Sequence, residues 1–326
     1  SVNKVRPYTA CALVKNLKFD NEKIKEIIQI QEKLHITYGR NRKKVAIGIY
    51  PFEKITPPIF YKALSPNEIK FQPLGFDKEL TGLQVLQQHP TGREYAHLLE
   101  GKDKFPIFID SKNQILSMPP IINSHLTGKI TENTKDVFIE CSGFDFDALK
   151  TLLNIIVTAL ADMGGEIYSM ELFYDKKKEI TPDLSPKKLK LDTSYVNKLL
   201  GLNLDDQEIK KLLERMGFSY NNKQVLIPSY RADILHPVDI IEDIAIAYGY
   251  ENFNPEIPKI ATIAKEDPLE IFKRKLKEIL IGLSLLETSS YTLISKQQLE
   301  NTNNQSKTSE LLNPVNQDFN TLRPSL

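Results

Sequence analysis

One stretch constrains the fold more than any other, because strand-like and helix-like segments alternate in it without a long gap. Residues 137–142 form an apolar run of strand length, and residues 147–163 carry apolar side chains at helical spacing. Gly164 and Gly165 end the helical pattern, and residues 166–174 predict another strand. The apolar face of the helix consists of Leu149, Leu152, Leu153, Ile156, Val157 and Leu160. Such a broad face is buried against a sheet, so the stretch predicts a mixed α/β domain.

Upstream segments extend this domain to the start of the chain. The predicted elements are a strand over 3–14, a helix over 21–35, a buried strand over 45–50 and a strand pair over 105–110 and 114–117. Residues 51–104 are rich in Pro, Gly and polar groups, and we expect loops with short helices there. The first domain is therefore predicted to span residues 1–175.

A second, smaller domain is predicted after the Lys176–Lys178 run and Thr181-Pro182. Its predicted elements are helices over 193–200, 206–216 and 236–248, with a hairpin across Asn221-Asn222. Together they define a helix-rich domain over 185–258. The expected fold class is α+β and multidomain, with a mixed α/β domain followed by a small helix-rich domain.

A third unit is expected to begin within residues 259–326, where Pro268 starts a helix reaching about residue 281. The chain opens at Ser1 without a methionine, and it closes at Leu326 shortly after a turn at Asn313-Pro314. We expect the third unit to be cut within a domain.

Charge and cysteine usage exclude several classes of protein. The 43 Lys and Arg residues against 42 Asp and Glu give a net charge of +1, which argues against nucleic-acid binding through general positive charge. A local basic patch remains at residues 40–44. No apolar run approaches the roughly 18 residues of a membrane span, and no signal-peptide pattern is present. Cys11 and Cys141 lie in apolar runs and predict buried thiols in a reducing compartment, hence a cytoplasmic protein.

Four carboxylates form the sharpest acidic cluster of the sequence. Asp239, Glu242 and Asp243 share one face of the predicted helix, and Asp233 lies one loop upstream. Converging carboxylates repel unless a cation lies among them, and all-oxygen ligation suits Mg²⁺ or Ca²⁺. The alternative interpretation is a solvated acidic helix start, which the helix dipole favours.

Two polar segments of the first domain suggest a binding pocket. Residues 117–123 read Ser-Met-Pro-Pro-Ile-Ile-Asn, a stiff piece that serves either as a pocket rim or as a structural turn. Glu140 and Ser142 flank Cys141 and share the opposite face of one strand. That pair can hydrogen-bond a phenol or another hydroxyl group, or it can lie on a solvent-exposed face of the sheet. No phosphate loop, zinc cysteine pair or nucleophile elbow is present, and the five histidines lack metal-ligand spacing.

Several ordered motifs resemble the β-subunit family of archaeal and eukaryotic phenylalanyl-tRNA synthetases. These motifs are residues 30–35 (IQEKLH), 42–48 (RKKVAIG), 115–124 (ILSMPPIINS), 137–143 (VFIECSG), 230–233 (YRAD), 239–243 (DIIED), 248–250 (YGY), 312–315 (LNPV) and 322–325 (LRPS). They span nearly the whole chain. The resemblance implies a role in protein biosynthesis as part of a ligase.

The resemblance implies a role for each module. The first domain would be the editing module, which hydrolyses tyrosine wrongly attached to tRNA(Phe), and residues 259–326 would start the catalytic-like module. The implied editing residues are Ser117, Asn123, Glu140 and Ser142 as catalytic residues, with Gln31, Glu32, Arg42 and Phe108 as substrate-binding residues. The acidic set Asp233, Asp239, Glu242 and Asp243 would hold one Mg²⁺ toward the partner α subunit in an α2β2 enzyme. ATP would bind only in the whole enzyme.

Two positions depart from residues frequent in the family. Glu140 stands where an Asp is often found, and Ser142 replaces a Thr. Both keep the type of chemistry, while the longer carboxylate changes the reach by one methylene. We expect Glu140 or Ser142 to contact the phenol of tyrosine. Gln31, Arg42 and Asn123 are expected to orient the ester or the terminal adenosine, with Arg42 suited to phosphate.

Editing is chemically reasonable for such an enzyme. A pocket for phenylalanine rejects tyrosine only by on the order of 10²-fold, whereas a second site that hydrogen-bonds the phenol discriminates far better. Three alternatives stay open: a scaffold that docks tRNA and the α subunit, a free-standing metal-dependent hydrolase, and a nucleic-acid-binding regulator.

Overall fold

The structure of the protein, a computed structural model, describes residues 2–174, 177–258, 264–302 and 307–325. It contains two compact units, residues 1–253 and 254–326. Residue 175, the predicted end of the first domain, and residue 259, the predicted start of the third unit, lie outside the described residues. The first and last residues of the chain lie outside them as well.

Helices and strands alternate along the described chain. The helices are α1 (Asn21–Ile36), α2 (Gly82–Gln88), α3 (Pro90–Tyr95), α4 (His125–Gly128), α5 (Phe146–Asp162), α6 (Thr193–Leu200), α7 (Asp206–Arg215), α8 (Pro237–Tyr248), α9 (Pro268–Gly282) and α10 (Lys296–Asn301). The strands are β1 (Tyr8–Lys15), β2 (Val45–Pro51), β3 (Phe60–Leu64), β4 (Lys70–Phe71), β5 (Leu80–Thr81), β6 (Phe105–Ile109), β7 (Ile115–Met118), β8 (Ile122–Asn123), β9 (Val137–Gly143), β10 (Glu166–Tyr174), β11 (Lys177–Thr181), β12 (Lys187–Lys190), β13 (Ser219–Asn221), β14 (Gln224–Ile227), β15 (Leu293–Ile294) and β16 (Thr321–Leu322).

A five-stranded antiparallel sheet, in the order β11-β10-β1-β9-β2, organises the first part of the chain. Helix α5 begins at the N-cap Asp145 and packs its apolar face against one side of this sheet. In the register, Glu140 on β9 pairs with Cys11 on β1 and with Gly48 on β2. The pairing places Glu140 on the side of the sheet opposite to α5. The buried free thiols predicted at Cys11 and Cys141 are confirmed.

A second sheet, in the order β3-β6-β7-β8, packs over the face that carries Glu140. The layer between the two sheets contains Tyr50, Phe108, Leu116 and Phe138, all buried. Strand β3 was not predicted, because residues 51–104 read as loops. Its pairing with β6 joins residues more than forty positions apart, and local composition carries no trace of such a pairing.

Helix α1 covers the open edge of the first sheet at β2. Gln31 Nε2 donates to the carbonyl of Ile47 over 2.9 Å. The N–H of Ile47 donates to His35 Nε2 over 2.8 Å. An uncovered strand edge leaves backbone groups unpaired, and these two side chains satisfy one donor and one acceptor of the edge.

The small module combines α6, α7 and α8 with a three-stranded sheet in the order β12-β14-β13. Its core includes Val196, Leu213, Val225 and Ile240. Capping confirms the predicted start of α7, since Asp205 and Glu208 form a capping box. Strand β12 was missed, because its sequence Lys-Lys-Leu-Lys buries little and reads as a charged loop. The predicted α+β, multidomain class is confirmed.

The second unit holds α9, which begins at Pro268 as predicted, and a two-stranded sheet of β15 and β16. None of the residues of α9 is buried. No helix in the part of the chain that the structure describes is both long and apolar enough to cross a bilayer.

Candidate active site

A cavity of about 280 Å³ opens where α1, β2 and the 117–123 segment meet. Its apolar walls are Ile24, Ile28, Ile47, Ile49, Leu74, Ile121, Ile122 and Ile130. Six of the eight predicted editing residues line it, namely Gln31, Glu32, Arg42, Ser117, Asn123 and Glu140. These residues come from four separate stretches of sequence, and the sheet register together with α1 brings them to one place.

The Pro-Pro segment forms one rim of the cavity. Ser117 on β7 pairs with Asn123 on β8, and Pro119 and Pro120 lie in the connection between the two strands and line the cavity. Proline fixes the backbone φ angle, so this connection has few alternative conformations. Gly128 packs closely on Asn123, because a Cβ on Gly128 would lie 2.6 Å from Asn123 Cβ. The side chain of Asn123 is therefore packed against Gly128, and its Oδ1 lies 3.3 Å from the Tyr50 hydroxyl oxygen.

At the α1 side of the cavity, Glu32 is an ionised carboxylate with two cationic or polar partners. His35 Nδ1 lies 3.1 Å from Glu32 Oε1. Since His35 Nε2 already accepts from Ile47 N–H, the ring proton lies on Nδ1 and is donated to Glu32. This bond, joined by the charge of Arg42, lowers the pKa of Glu32 to about 2. Burial lowers the pKa of His35, so the imidazole is neutral.

Arg42 contacts the protein through both of its Nη atoms, whereas its Nε is buried without a hydrogen-bond partner. Its Nη1 donates to the carbonyl of Ile121 over 2.8 Å, and its Nη2 lies 3.1 and 3.2 Å from the two oxygens of Glu32. The guanidinium also lies 4.4 Å from the ring centroid of Tyr95. The expectation that Arg42 contacts a phosphate stays a prediction. In this arrangement Arg42 ties the Pro-Pro segment to α1.

An unusual backbone turn delivers Arg42 to the cavity. Arg40, Asn41 and Arg42 have φ angles of 51°, 52° and 64°, which is the left-handed region for three successive non-glycine residues. Such residues cost of order 1 kcal/mol each and persist only where surrounding contacts hold them. Arg6 supplies one of these contacts, because its Nη2 donates to the carbonyl of Arg42. The strain is located at the residue that closes the cavity.

Glu140 is the buried carboxyl of the site. It is 2% exposed, and its Oε2 has no hydrogen-bond partner. Burial raises the pKa of Glu140 to about 8, and the hydrogen bond with Tyr50, the charge of Arg6 and the nearby Ser142 side chain oppose that rise only in part. The carboxyl is therefore mostly neutral at pH 7. Glu140 also belongs to the cavity lining.

Two predicted residues lie outside the cavity lining. Ser142 is fully buried, and its Oγ accepts from Arg6 Nε over 3.2 Å. Phe108 is buried between the two sheets and stacks on Tyr61 with ring centroids 4.4 Å apart. Of the two candidates for the phenol contact, only Glu140 lines the cavity. Ser142 and Phe108 form the layer behind it.

Sequence reasoning missed Tyr50, Gly48 and Arg6. Tyr50 ends a run of apolar residues and reads as an ordinary buried aromatic, yet its hydroxyl touches three groups that line the cavity. Gly48 makes room for that hydroxyl, since a Cβ there would lie 2.1 Å from Tyr50 Oη and 2.6 Å from Glu140 Oε1. The period-two pattern of β2 places Gly48 and Tyr50 on one face, but only the pairing with β9 reveals what that face meets.

The predicted metal site is not formed by the residues as they lie in this chain. Arg231 Nη2 donates to Asp233 over 2.6 Å and to Asp243 over 2.7 Å. Asp239 accepts from the N–H groups of Leu235 and His236 at the start of α8, and Glu242 is exposed. Among the described residues, no group of three or more His, Cys, Asp or Glu side chains is arranged to hold a metal ion. A guanidinium can relieve the repulsion between two carboxylates, as Arg231 does here for Asp233 and Asp243. The Mg²⁺ site stays a prediction.

Comparison with known proteins agrees with this architecture. Residues 189–250 match the tRNA synthetase B5 domain, and residues 254–326 match the phenylalanyl tRNA synthetase beta chain CLM domain. Over 99% of this chain, the phenylalanine–tRNA ligase beta subunits of Pyrococcus abyssi and Pyrococcus furiosus are each 43% identical. The beta subunit of Archaeoglobus fulgidus is 44% identical over 91% of the chain. The chain spans 59% of the length of the two Pyrococcus relatives.

A solved structure shares the fold of this chain. The crystal structure of an N-terminal fragment of the phenylalanyl-tRNA synthetase beta subunit from Pyrococcus horikoshii superposes with a TM-score of 0.74 at 45% identity. The match covers 76% of this chain and 73% of that one. The fold and the matched domains define a component of an aminoacyl-tRNA synthetase. More narrowly, the chain belongs to the archaeal-type phenylalanyl-tRNA synthetase β-subunit family.

Proposed function

We propose that the cavity next to Glu140 is an editing site that hydrolyses tyrosine esterified to tRNA(Phe). The observation that supports this most is the meeting of Ser117, Asn123 and Glu140 in one cavity with a mostly apolar wall. Its volume of about 280 Å³ is close to the roughly 300–1,000 Å³ common for small-ligand sites. An aromatic ring suits the apolar wall, and a phenol suits the polar end.

Selection against phenylalanine follows from the unpaired oxygen of Glu140. A phenol donates to Glu140 Oε2, whereas phenylalanine leaves that buried oxygen without a partner. An unsatisfied buried polar group costs about 1–3 kcal/mol, and the tyrosine ester gains that difference. The neutral state of the carboxyl avoids the larger cost of desolvating an anion when the ligand seals the cavity.

Glu32 offers a fixed negative charge elsewhere on the same cavity wall. We assign to it the α-ammonium group of the aminoacyl ester, because Glu32 stays ionised and is still partly exposed. A positioned water then attacks the ester carbonyl carbon and loses a proton, and the bond between that carbon and the ribose oxygen breaks. The released ribose oxygen takes up the proton and becomes a hydroxyl. We assign to the side-chain amide of Asn123 the hydrogen bond that stabilises the developing oxyanion.

Other parts of the proposal concern the whole enzyme. As a β subunit, the chain would contribute to phenylalanine–tRNA ligase together with an α subunit in an α2β2 assembly, and it would contact tRNA(Phe). ATP and Mg²⁺ would serve aminoacylation in that assembly. The Asp233–Asp243 region of this chain does not fit a metal in its present arrangement, and no step of the proposed hydrolysis passes through it. A cytoplasmic location stays a prediction.

Hydrolysis of preformed Tyr-tRNA and Phe-tRNA, both on tRNA(Phe), tests the proposal. We expect Tyr-selective loss of the ester that resists EDTA and falls at least tenfold in the double variant Glu140→Ala, Asn123→Ala. Glu100→Gln removes an exposed carboxylate that does not line the cavity and serves as the matched control. Hydrolysis that EDTA abolishes would support the metal-dependent alternative. An unchanged rate in the double variant would remove Glu140 and Asn123 from the reaction.

A further inference from the structure

One phenol lies behind three groups that line the cavity. Tyr50 Oη lies 2.7 Å from Ser117 Oγ, 3.3 Å from Asn123 Oδ1 and 3.1 Å from Glu140 Oε1. Tyr50 itself is fully buried and does not line the cavity. Its hydroxyl is thus a shared hub beneath the cavity floor.

Counting protons restricts how these contacts can form. A phenol carries one proton and has two lone pairs, so it donates once and accepts from the other neighbours. An amide oxygen such as Asn123 Oδ1 only accepts, whereas a serine hydroxyl and a protonated carboxyl both donate. All three contacts are satisfied together when Tyr50 donates to Asn123 and accepts from Ser117 and from Glu140.

We propose that Tyr50 is a positioning residue that fixes which groups at the cavity floor donate a hydrogen bond and which accept one. In this arrangement Glu140 donates from Oε1 and presents Oε2 to the ligand as an acceptor. The inference rests on the proposed editing function and adds a residue that positions Glu140. The acyl group must carry a hydroxyl donor at its far end. A ligand whose far end is apolar or only accepts finds no partner there.

The surroundings of the carboxyl agree with this assignment. Oε2 is buried and has no hydrogen-bond partner, although it belongs to a residue that lines the cavity. The titratable groups facing Glu140 are Arg6, Cys11, Tyr50 and Tyr61, which come from the N-terminal segment, β1, β2 and β3. Arg6 is the only cation among these four, and it makes no ion pair with Glu140, since its nitrogens bond Ser142 and the carbonyl of Arg42.

Gly48 lies so close to Tyr50 and Glu140 that no side chain fits there. Any side chain at Gly48 would place its Cβ 2.1 Å from Tyr50 Oη and 2.6 Å from Glu140 Oε1. The contact between the phenol and the carboxyl therefore requires glycine at the paired position on β2.

Infrared spectroscopy of the folded chain and hydrolysis assays test the proposal together. At pH 7 we expect a carbonyl band of a protonated carboxyl that Glu140→Gln removes and Tyr50→Phe shifts. Tyr61→Phe is the matched control, since Tyr61 is a partly buried residue of the same layer whose hydroxyl has no hydrogen-bond partner. Tyr61→Phe should leave the band in place.

In the hydrolysis assay, Tyr50→Phe should lower the Tyr-over-Phe selectivity about tenfold, mainly through a higher KM for the tyrosine ester, as expected for one lost hydrogen bond. A Tyr-selective parent chain whose selectivity survives Tyr50→Phe would overturn the role of Tyr50. A parent chain without hydrolysis would refute the proposed function instead. The infrared band would still show whether Glu140 is protonated and bonded to Tyr50. Absence of the band in the parent chain, or a band unmoved by Tyr50→Phe, overturns the inference.

Discussion

The backbone N–H of Ile47 donates to His35 Nε2 over 2.8 Å. This contact fixes the tautomer of the imidazole and holds helix α1 over the edge strand β2. Because Nε2 accepts, the ring donates through Nδ1 to Glu32. Helix α1 is thereby attached to β2 beside the cavity. A strand edge, a neutral histidine and an ionised carboxylate act as one connected unit.

Loss of this contact should destabilise the first unit. His35→Ala leaves the Ile47 N–H unpaired and opens a cavity under α1, so we expect a loss of about 3 kcal/mol in the free energy of unfolding. Urea denaturation measures it. His97→Ala, at an exposed position, should change the value by less than about 0.5 kcal/mol. Equal effects of the two variants would contradict the structural role of His35.

Stability should depend on pH through Glu140. Burial raises its pKa from the ordinary value of 4.5 to about 8, so between these values the native state holds a proton that the unfolded chain releases. The contribution is complete below pH 4.5 and is lost as pH rises through 8, with a slope of about 1.4 kcal/mol per pH unit. Glu140→Gln, which is neutral throughout, should gain stability relative to the parent chain over that range.

The check on Glu140 is a series of urea denaturation curves between pH 5 and 9. The matched control is Glu100→Gln, an exposed carboxylate whose substitution should leave the pH dependence unchanged. Parallel pH profiles of Glu140→Gln and the parent chain would show that the native carboxyl is ionised.

Arg42 should matter for stability as well as for hydrolysis. Arg42→Met removes the bonds to Ile121 and Glu32 and frees the Pro-Pro segment from α1. We expect a loss of about 2 kcal/mol in unfolding free energy and a large drop in tyrosine-ester hydrolysis. Arg42→Lys should not restore either, because the ammonium donates from a single atom and lacks the planar fork whose Nη1 reaches Ile121 and whose Nη2 reaches Glu32. Arg93→Met, at an exposed position, is the control, and an active, stable Arg42→Met would refute the assignment.

Arg231 should stabilise the small module by pairing two carboxylates. The Arg231 hydrogen bond holds the pKa of Asp233 below its usual range, and Arg231 also bonds the buried Asp243. Arg231→Met leaves Asp243 without its cation, and we expect a loss of about 2–4 kcal/mol in the free energy of unfolding. Lys211→Met, at an exposed position of α7, should have little effect. A stable Arg231→Met chain that binds Mg²⁺ no better than the parent would show that the pair is dispensable.

The sequence pattern predicted the elements well where apolar residues recur regularly on one face of a helix. Helices α5, α7 and α8 start and end within a few residues of the expected positions, because apolar spacing and caps are properties of neighbouring residues. Strands β3 and β12 escaped prediction. Each is stabilised by pairing with a strand that is remote in sequence, and β12 presents mainly lysines.

By itself the sequence determined the α+β class, the order of the modules, the buried thiols and, through its resemblance to a family, most residues of the candidate site. Tertiary structure alone decided how these residues are arranged in space. It placed Tyr50 behind Ser117, Asn123 and Glu140, and it moved Ser142 into the layer beneath the cavity. The physical reason is that hydrogen-bond partners and burial depend on strand register and packing between distant segments. Periodicity along a single segment carries no information about either.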